Sequence, residues 1–122
     1  MDQADCVIVL VTLQHQCARL IRRGGDIALA QGRQLKVVHV APRDENLQAE
    51  AKAAVLNDLY ALANEAGAEM CLLVAEVMVT TVVEFAKEHK AKQIIIGAGE
   101  NAHGIAETLS EMLPGVQILI VE

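Results

Sequence analysis

Five runs of aliphatic residues, four to six long, punctuate the chain: Cys6-Val7-Ile8-Val9-Leu10-Val11, Leu35-Lys36-Val37-Val38-His39-Val40, Met70-Cys71-Leu72-Leu73-Val74, Gln93-Ile94-Ile95-Ile96 and Val116-Gln117-Ile118-Leu119-Ile120-Val121. Short, nearly continuous apolar runs rich in β-branched residues are strands covered on both faces, the pattern of a parallel sheet. Between them apolar residues recur at helical spacing. The stripes are Cys17, Leu20, Ile21, Gly24 and Ala28; Leu47, Ala51, Val55, Leu59, Leu62 and Ala66; Val79, Val82, Val83 and Ala86; and Ile105, Leu109 and Met112. The order βαβαβαβαβ, joined by right-handed crossovers, predicts an open parallel α/β sheet with helices on both faces. Although 53% of residues are apolar, Tyr60 and Phe85 are the only aromatics, so Val, Ile, Leu and Ala must build the core. A length of 122 residues fits a single domain over residues 1–122, and Met1 suggests a free-standing chain.

Boundary residues agree with this count. Gly32 and Gly67 fall where helices should end, Pro114-Gly115 stops the last helix, and Thr81-Val82-Val83-Glu84 has capping-box spacing, which predicts a helix start at Thr81. Gly24-Gly25 lies inside the first helix, where each glycine costs about 1 kcal/mol relative to alanine. Close packing of that helix on the sheet would offset the cost.

Several function classes find no support. The net charge of −6 opposes a nucleic acid backbone, and Arg19, Arg22 and Arg23 are the only basic cluster. Cys6, Cys17 and Cys71 are odd in number and widely spaced, which suits reduced, mostly buried thiols. His15, His39, His89 and His103 are scattered over separate elements, so no metal site is expected; His39, within a strand, reads as a packed or hydrogen-bonded residue. Ser110 is the only serine, and no nucleophilic triad can be assembled around it, so the chain is not expected to be an enzyme. No apolar run approaches the roughly 20 residues of a membrane span, and residues 1–5 lack the basic start of a signal peptide. The expectation is a cytoplasmic protein.

One segment carries chemistry. The fourth strand runs into Gly97-Ala98-Gly99-Glu100-Asn101-Ala102-His103-Gly104 and then a helix. A buried strand that ends in glycines ahead of a helix N-terminus presents backbone N–H groups to a phosphate. The same residues match G-x-G-x-x-[GA], with Glu122 about 20 positions on, as in the dinucleotide fingerprint. That fingerprint sits in a first βα turn with more sheet to follow, whereas here one strand remains.

The opening strand Val7 to Thr12, the helix Cys17-Ala18-Arg19-Leu20-Ile21-Arg22-Arg23-Gly24, the strand ending Val38-His39-Val40, then Val83-Glu84-Phe85-Ala86 and Ala91-Lys92-Gln93-Ile94-Ile95-Ile96-Gly97, followed by the final strand, together resemble the universal stress protein family. Within it they are most similar to the stress-protein-like domain of potassium-responsive sensor histidine kinases. The resemblance covers nearly the whole chain and implies a five-stranded sheet of order 3-2-1-4-5, with a ligand crevice between strands 1 and 4. It also implies ATP or another adenine nucleotide as ligand. Members that bind ATP carry an acid at the end of strand 1, a valine in strand 2 and a loop G-x2-G-x9-G-[ST] after strand 4. By position these fall on Thr12, Val40, Gly97, Gly99 and Gly104, with His103 beside the last glycine. The chain departs from the motif in having threonine for the acid, Gly99 one place early, a shorter loop, and Ile105 at the hydroxyl position.

The last strand has Gln117 as its one polar residue and neither proline nor lysine to discourage pairing. The resemblance likewise implies a homodimer through this strand. Two functions follow: a regulatory domain in which a nucleotide or other small anion alters affinity for a signalling protein, or a ligand-free dimeric interaction module.

Overall fold

The computed structural model describes residues 5–11, 17–42, 50–98 and 101–121. Nine elements alternate: β1 (Cys6–Leu10), α1 (Cys17–Gln31), β2 (Gln34–Ala41), α2 (Glu50–Glu65), β3 (Glu69–Val74), α3 (Met78–Glu88), β4 (Ala91–Gly97), α4 (Ala102–Met112) and β5 (Gln117–Val121). The strands form one parallel sheet of order β3-β2-β1-β4-β5, the architecture expected from the sequence. Every aliphatic run is a strand, with ends one or two residues from those predicted.

Strand alternation divides the core into two layers. On one face Val7, Val9, Val37 and Ile95 pack with Leu20, Ile21 and Ala28 of α1 and Leu59 and Ala63 of α2. On the other, Ile8, Val38, Ile94 and Ile96 pack with Val82, Val83 and Ala86 of α3 and Ala102 and Leu109 of α4. Gly24 explains how α1 lies so near the sheet: a Cβ at this position would stand 2.3 Å from Val9 Cγ2, closer than real Cβ contacts come. The glycine that weakens the helix is what allows it to dock.

α1 and α2 end alike. Arg33 N–H donates to Ala28 O at 2.9 Å and Gly32 N–H to Leu29 O at 3.2 Å, while Ala68 N–H donates to Ala63 O at 2.8 Å and Gly67 N–H to Asn64 O at 3.1 Å. These paired bonds are Schellman caps, and they need the positive φ of 66° at Gly32 and 72° at Gly67.

The start of α3 corrects the sequence reading. The helix begins at Met78 with Val77 as N-cap, and Thr81 lies inside it, its Oγ1 donating to Val77 O at 3.1 Å. Thr81 therefore bonds backward to the preceding turn instead of capping. Apolar Met78 and Val79 can occupy the first turn because both pack onto the core layer beneath α3.

Candidate functional site

The strands end at different heights at their C-terminal edge. β1 stops at Leu10, in register with Val38 of β2 and Ile96 of β4. β2 continues to Ala41, paired with Val74, and β4 to Gly97, paired with Val121. At roughly 3.3 Å per residue, β2 rises about 10 Å above the end of β1 and β4 about 3 Å. A step of this kind, where strand order reverses on either side of β1, is the position at which open α/β sheets bind ligands.

Two bonds finish β1. Val11 N–H donates to Val38 O at 2.9 Å, extending the ladder by one group. Val11 O then meets Nδ1 of the buried His39 at 3.0 Å. A carbonyl can only accept, so Nδ1 carries the proton. The expectation of a hydrogen-bonded histidine in β2 is met.

The sequence-derived site residues fall as follows. Val40 is half-buried and packs on the α3/α4 layer, together with Leu10 and Ile96. Gly97 ends β4 facing the opposite layer, where a Cβ would stand 3.4 Å from Leu20 Cδ2. His103 and Gly104 are exposed in the first turn of α4, and a Cβ at Gly104 would meet nothing within 4 Å. Val40 and the α4 N-terminus thus share one side of the sheet, with the backbone at Gly97 between the two faces. Thr12 and Gly99 lie outside the described residues.

α4 supplies the donors. Its N-cap Asn101 makes no side-chain capping bond. The first intrahelical bond is from Ile105 N–H to Asn101 O at 3.0 Å, so the amides of Ala102, His103 and Gly104 have no acceptor within the helix. Such amides and the helix dipole favour an anion. Ile105, at the position of the family's hydroxyl, instead packs into the core layer under α4.

Cations are placed unevenly. Lys87 closes α3, Lys90 forms the turn with φ 57°, and Lys92 opens β4, so all three stand at the N-terminal edge, far from the step. Lys36 is there too, 2.6 Å from Glu69. Burial alone would lower the Lys36 pKa, but the hydrogen bond and charge of Glu69 outweigh it and raise it. The Glu69 carboxyl is held below its usual value, chiefly by that hydrogen bond. Burial pushes up the thiols of Cys6 and Cys71 on the same face, which keeps them protonated and unreactive. Lys52, which the sequence reading passed over, stands in the first turn of α2 and so at the end of the sheet where β2 terminates. Its place just after β2 in the chain order was the available signal.

The same architecture recurs among solved structures. A universal stress protein from Archaeoglobus fulgidus superposes with a TM-score of 0.74 at 21% identity, covering 98% of this chain and 95% of that one. A structure of the universal stress protein from Archaeoglobus fulgidus in complex with dAMP gives 0.71 at 22% identity over the whole of both chains. A universal stress protein in complex with cAMP gives 0.70 at 20% identity, covering 99% of each. No family model matches the chain. The sheet order and the paired helix layers give the chain the α/β fold of the universal stress proteins. In sequence the chain is similar to the sensor protein KdpD of Mycobacterium tuberculosis, 33% identical over 101 residues, which are 83% of this chain and 12% of that protein. The chain therefore spans about an eighth of the length of that relative.

Proposed function

We propose that this domain is a ligand-responsive regulator that binds an adenine nucleotide of the monophosphate class at the step above β1, without catalysing its turnover. The observation that carries the reading is the uncapped first turn of α4, whose amides stand beside the end of β4. Three amides without an intrahelical acceptor and a helix dipole suit one phosphate group; a triphosphate brings about four charges and would need further cations or a metal. The described lysines of α3 and β4 stand at the other edge. The dAMP and cAMP bound by structural neighbours are monophosphates, which supports the same ligand class. No metal-holding cluster of His, Cys, Asp or Glu occurs among the described residues, and no helix among them is long and apolar enough to cross a membrane.

The domain would act as a homodimer. β5 ends the sheet, and Ile118, Leu119, Ile120 and Val121 remain half-exposed on both of its faces, a surface suited to pairing with a second copy. A ligand-free interaction module is the second reading, favoured by Ile105, whose place in the core removes the hydroxyl that would complete a phosphate loop.

Calorimetric titration with AMP, cAMP and ATP, with and without magnesium, on the native chain and on Gly104→Glu, tests the proposal. A Cβ at Gly104 meets no neighbour, and an acid in a helix's first turn is favourable. The substitution should therefore leave the domain as stable or slightly more stable while repelling phosphate, so saturable AMP or cAMP binding should be lost from a protein that still folds. Absence of heat with any nucleotide on the native chain would leave the interaction module as the function.

A further inference from the structure

His39 is the one buried histidine among the described residues, with 6% of its surface exposed, and the phosphate site makes no use of it. It sits on β2 one residue beyond Val38, the last position of β2 in register with β1. By alternation it shares the face of Val37, directed toward α1 and α2, whereas its neighbour Val40 faces α3 and α4. Its ring holds the Val11 carbonyl at 3.0 Å just where backbone pairing between β1 and β2 ceases. In a regular parallel ladder that carbonyl would face the N–H of residue 40. A side chain thus takes over from the backbone at the point where the chain leaves the sheet.

This bond is well placed to govern the crevice. Peptide units are planar, so a fixed Val11 carbonyl fixes the whole peptide plane by which the chain departs from β1. Only a side chain with a donor near Cγ can reach the carbonyl without disturbing β2, and Nδ1 of histidine is such a donor. Burial makes the bond matter more: without a donor, Val11 O would lose its partner in a region from which water is largely excluded.

We propose that His39 is a positioning residue for the crevice: its Nδ1–H, donated to Val11 O, sets the exit of β1 and thereby the affinity for an adenosine monophosphate ligand. This rests on the nucleotide-binding reading above, and its test has one arm that needs no ligand. Asparagine carries an amide N–H close to where Nδ1 lies, whereas leucine fills similar volume without a donor.

The test compares the native chain with His39→Asn and His39→Leu. In the ligand-free arm, hydrogen exchange at the Val11 amide, which is bonded to Val38 O, is followed by NMR alongside a core amide such as that of Ile94. His39→Leu should exchange about tenfold faster at Val11, with Ile94 unchanged, and His39→Asn should restore protection. In the ligand arm, AMP affinity should fall about tenfold in His39→Leu and recover in His39→Asn. Equal Val11 protection in all three proteins would overturn the proposal, as would unaltered AMP affinity in folded His39→Leu. Failure of the native chain to bind AMP would refute the nucleotide reading and the affinity claim with it, while the exchange arm still decides whether the ring sets the β1 exit. Should His39→Leu not fold, His39→Gln, whose amide lies one atom further out, takes its place with the same expected loss.

Discussion

The two ends of this sheet are built on opposite plans. At the N-terminal edge helices close with Schellman caps at Gly32 and Gly67, and polar groups satisfy one another: Lys36 with Glu69, Gln31 Nε2 donating to Gln93 Oε1 at 3.0 Å, and Cys6 Sγ–H donating to the backbone carbonyl of His89 at 3.4 Å. At the C-terminal edge the strands stop at unequal heights, and α4 begins with no side-chain cap. The closed end has its polar groups paired internally and contributes stability. The stepped end has helix amides without an acceptor inside their own helix, and this is the usual division in parallel α/β sheets, where ligands gather beyond the carboxyl ends of the strands.

The comparison can be broken first at α4, because that helix belongs to the open end yet is anchored in the core by fully buried Leu109. Leu109→Ala should cost about 3 kcal/mol, the range for a large buried aliphatic residue cut to alanine. Urea denaturation gives the value directly. A cost under about 1 kcal/mol would mean that α4 is not held by its core contact and that its amides have no fixed position.

Next in size is α1, which spans both ends. Gly24→Ala would gain about 1 kcal/mol of helix propensity and lose more through overlap with Val9 Cγ2, for a net destabilisation of about 1–2 kcal/mol. The denaturation midpoint should fall; a rise would show that α1 can lift from the sheet at little cost.

The smallest effects belong to the closed end. Lys36→Met should change stability by less than about 1 kcal/mol, since Glu69 is largely exposed and the pair is screened by water. Glu69 has a lowered pKa in the folded state, so its contribution is present above the unfolded carboxylate value and fades as pH falls through the folded one. Cys6 behaves in the opposite sense. Its folded pKa is raised by burial, so its contribution is complete below the ordinary thiol value of roughly 8.5 and declines as pH rises above it. Thermal melts between neutral pH and pH 10 should therefore show a lower melting temperature at the alkaline end, and Cys6→Ala should flatten that part of the slope.

The central strands were legible because they are buried on both faces and so read as unbroken aliphatic runs, from Val7 to Val11 and from Ile94 to Ile96, and the half-buried edge strands β3 and β5 keep the same aliphatic pattern. Gly32 and Gly67 were legible as helix ends because a left-handed cap selects glycine locally. Thr81 misled because its spacing to Glu84 imitates a capping box, while the true start was decided by apolar contacts of Met78 and Val79 with the sheet. Of the candidate site, Val40, Gly97, His103 and Gly104 could be named in advance from the glycine-ended strand and the family pattern. That Val40 and Gly97 face opposite layers depends on the register between strands, whereas the place of Lys52 at the ligand-side end followed from chain order and was overlooked.

By itself, then, the sequence determined the number and order of elements, the parallel sheet and the two-layer core, since hydrophobic period and local caps act over a few residues. Tertiary structure alone decided the register that leaves β1 short of β2, the contact that requires Gly24, and the bond from His39 to Val11. Each of these joins residues 15 to 30 positions apart, and no local pattern encodes a distance across the sheet.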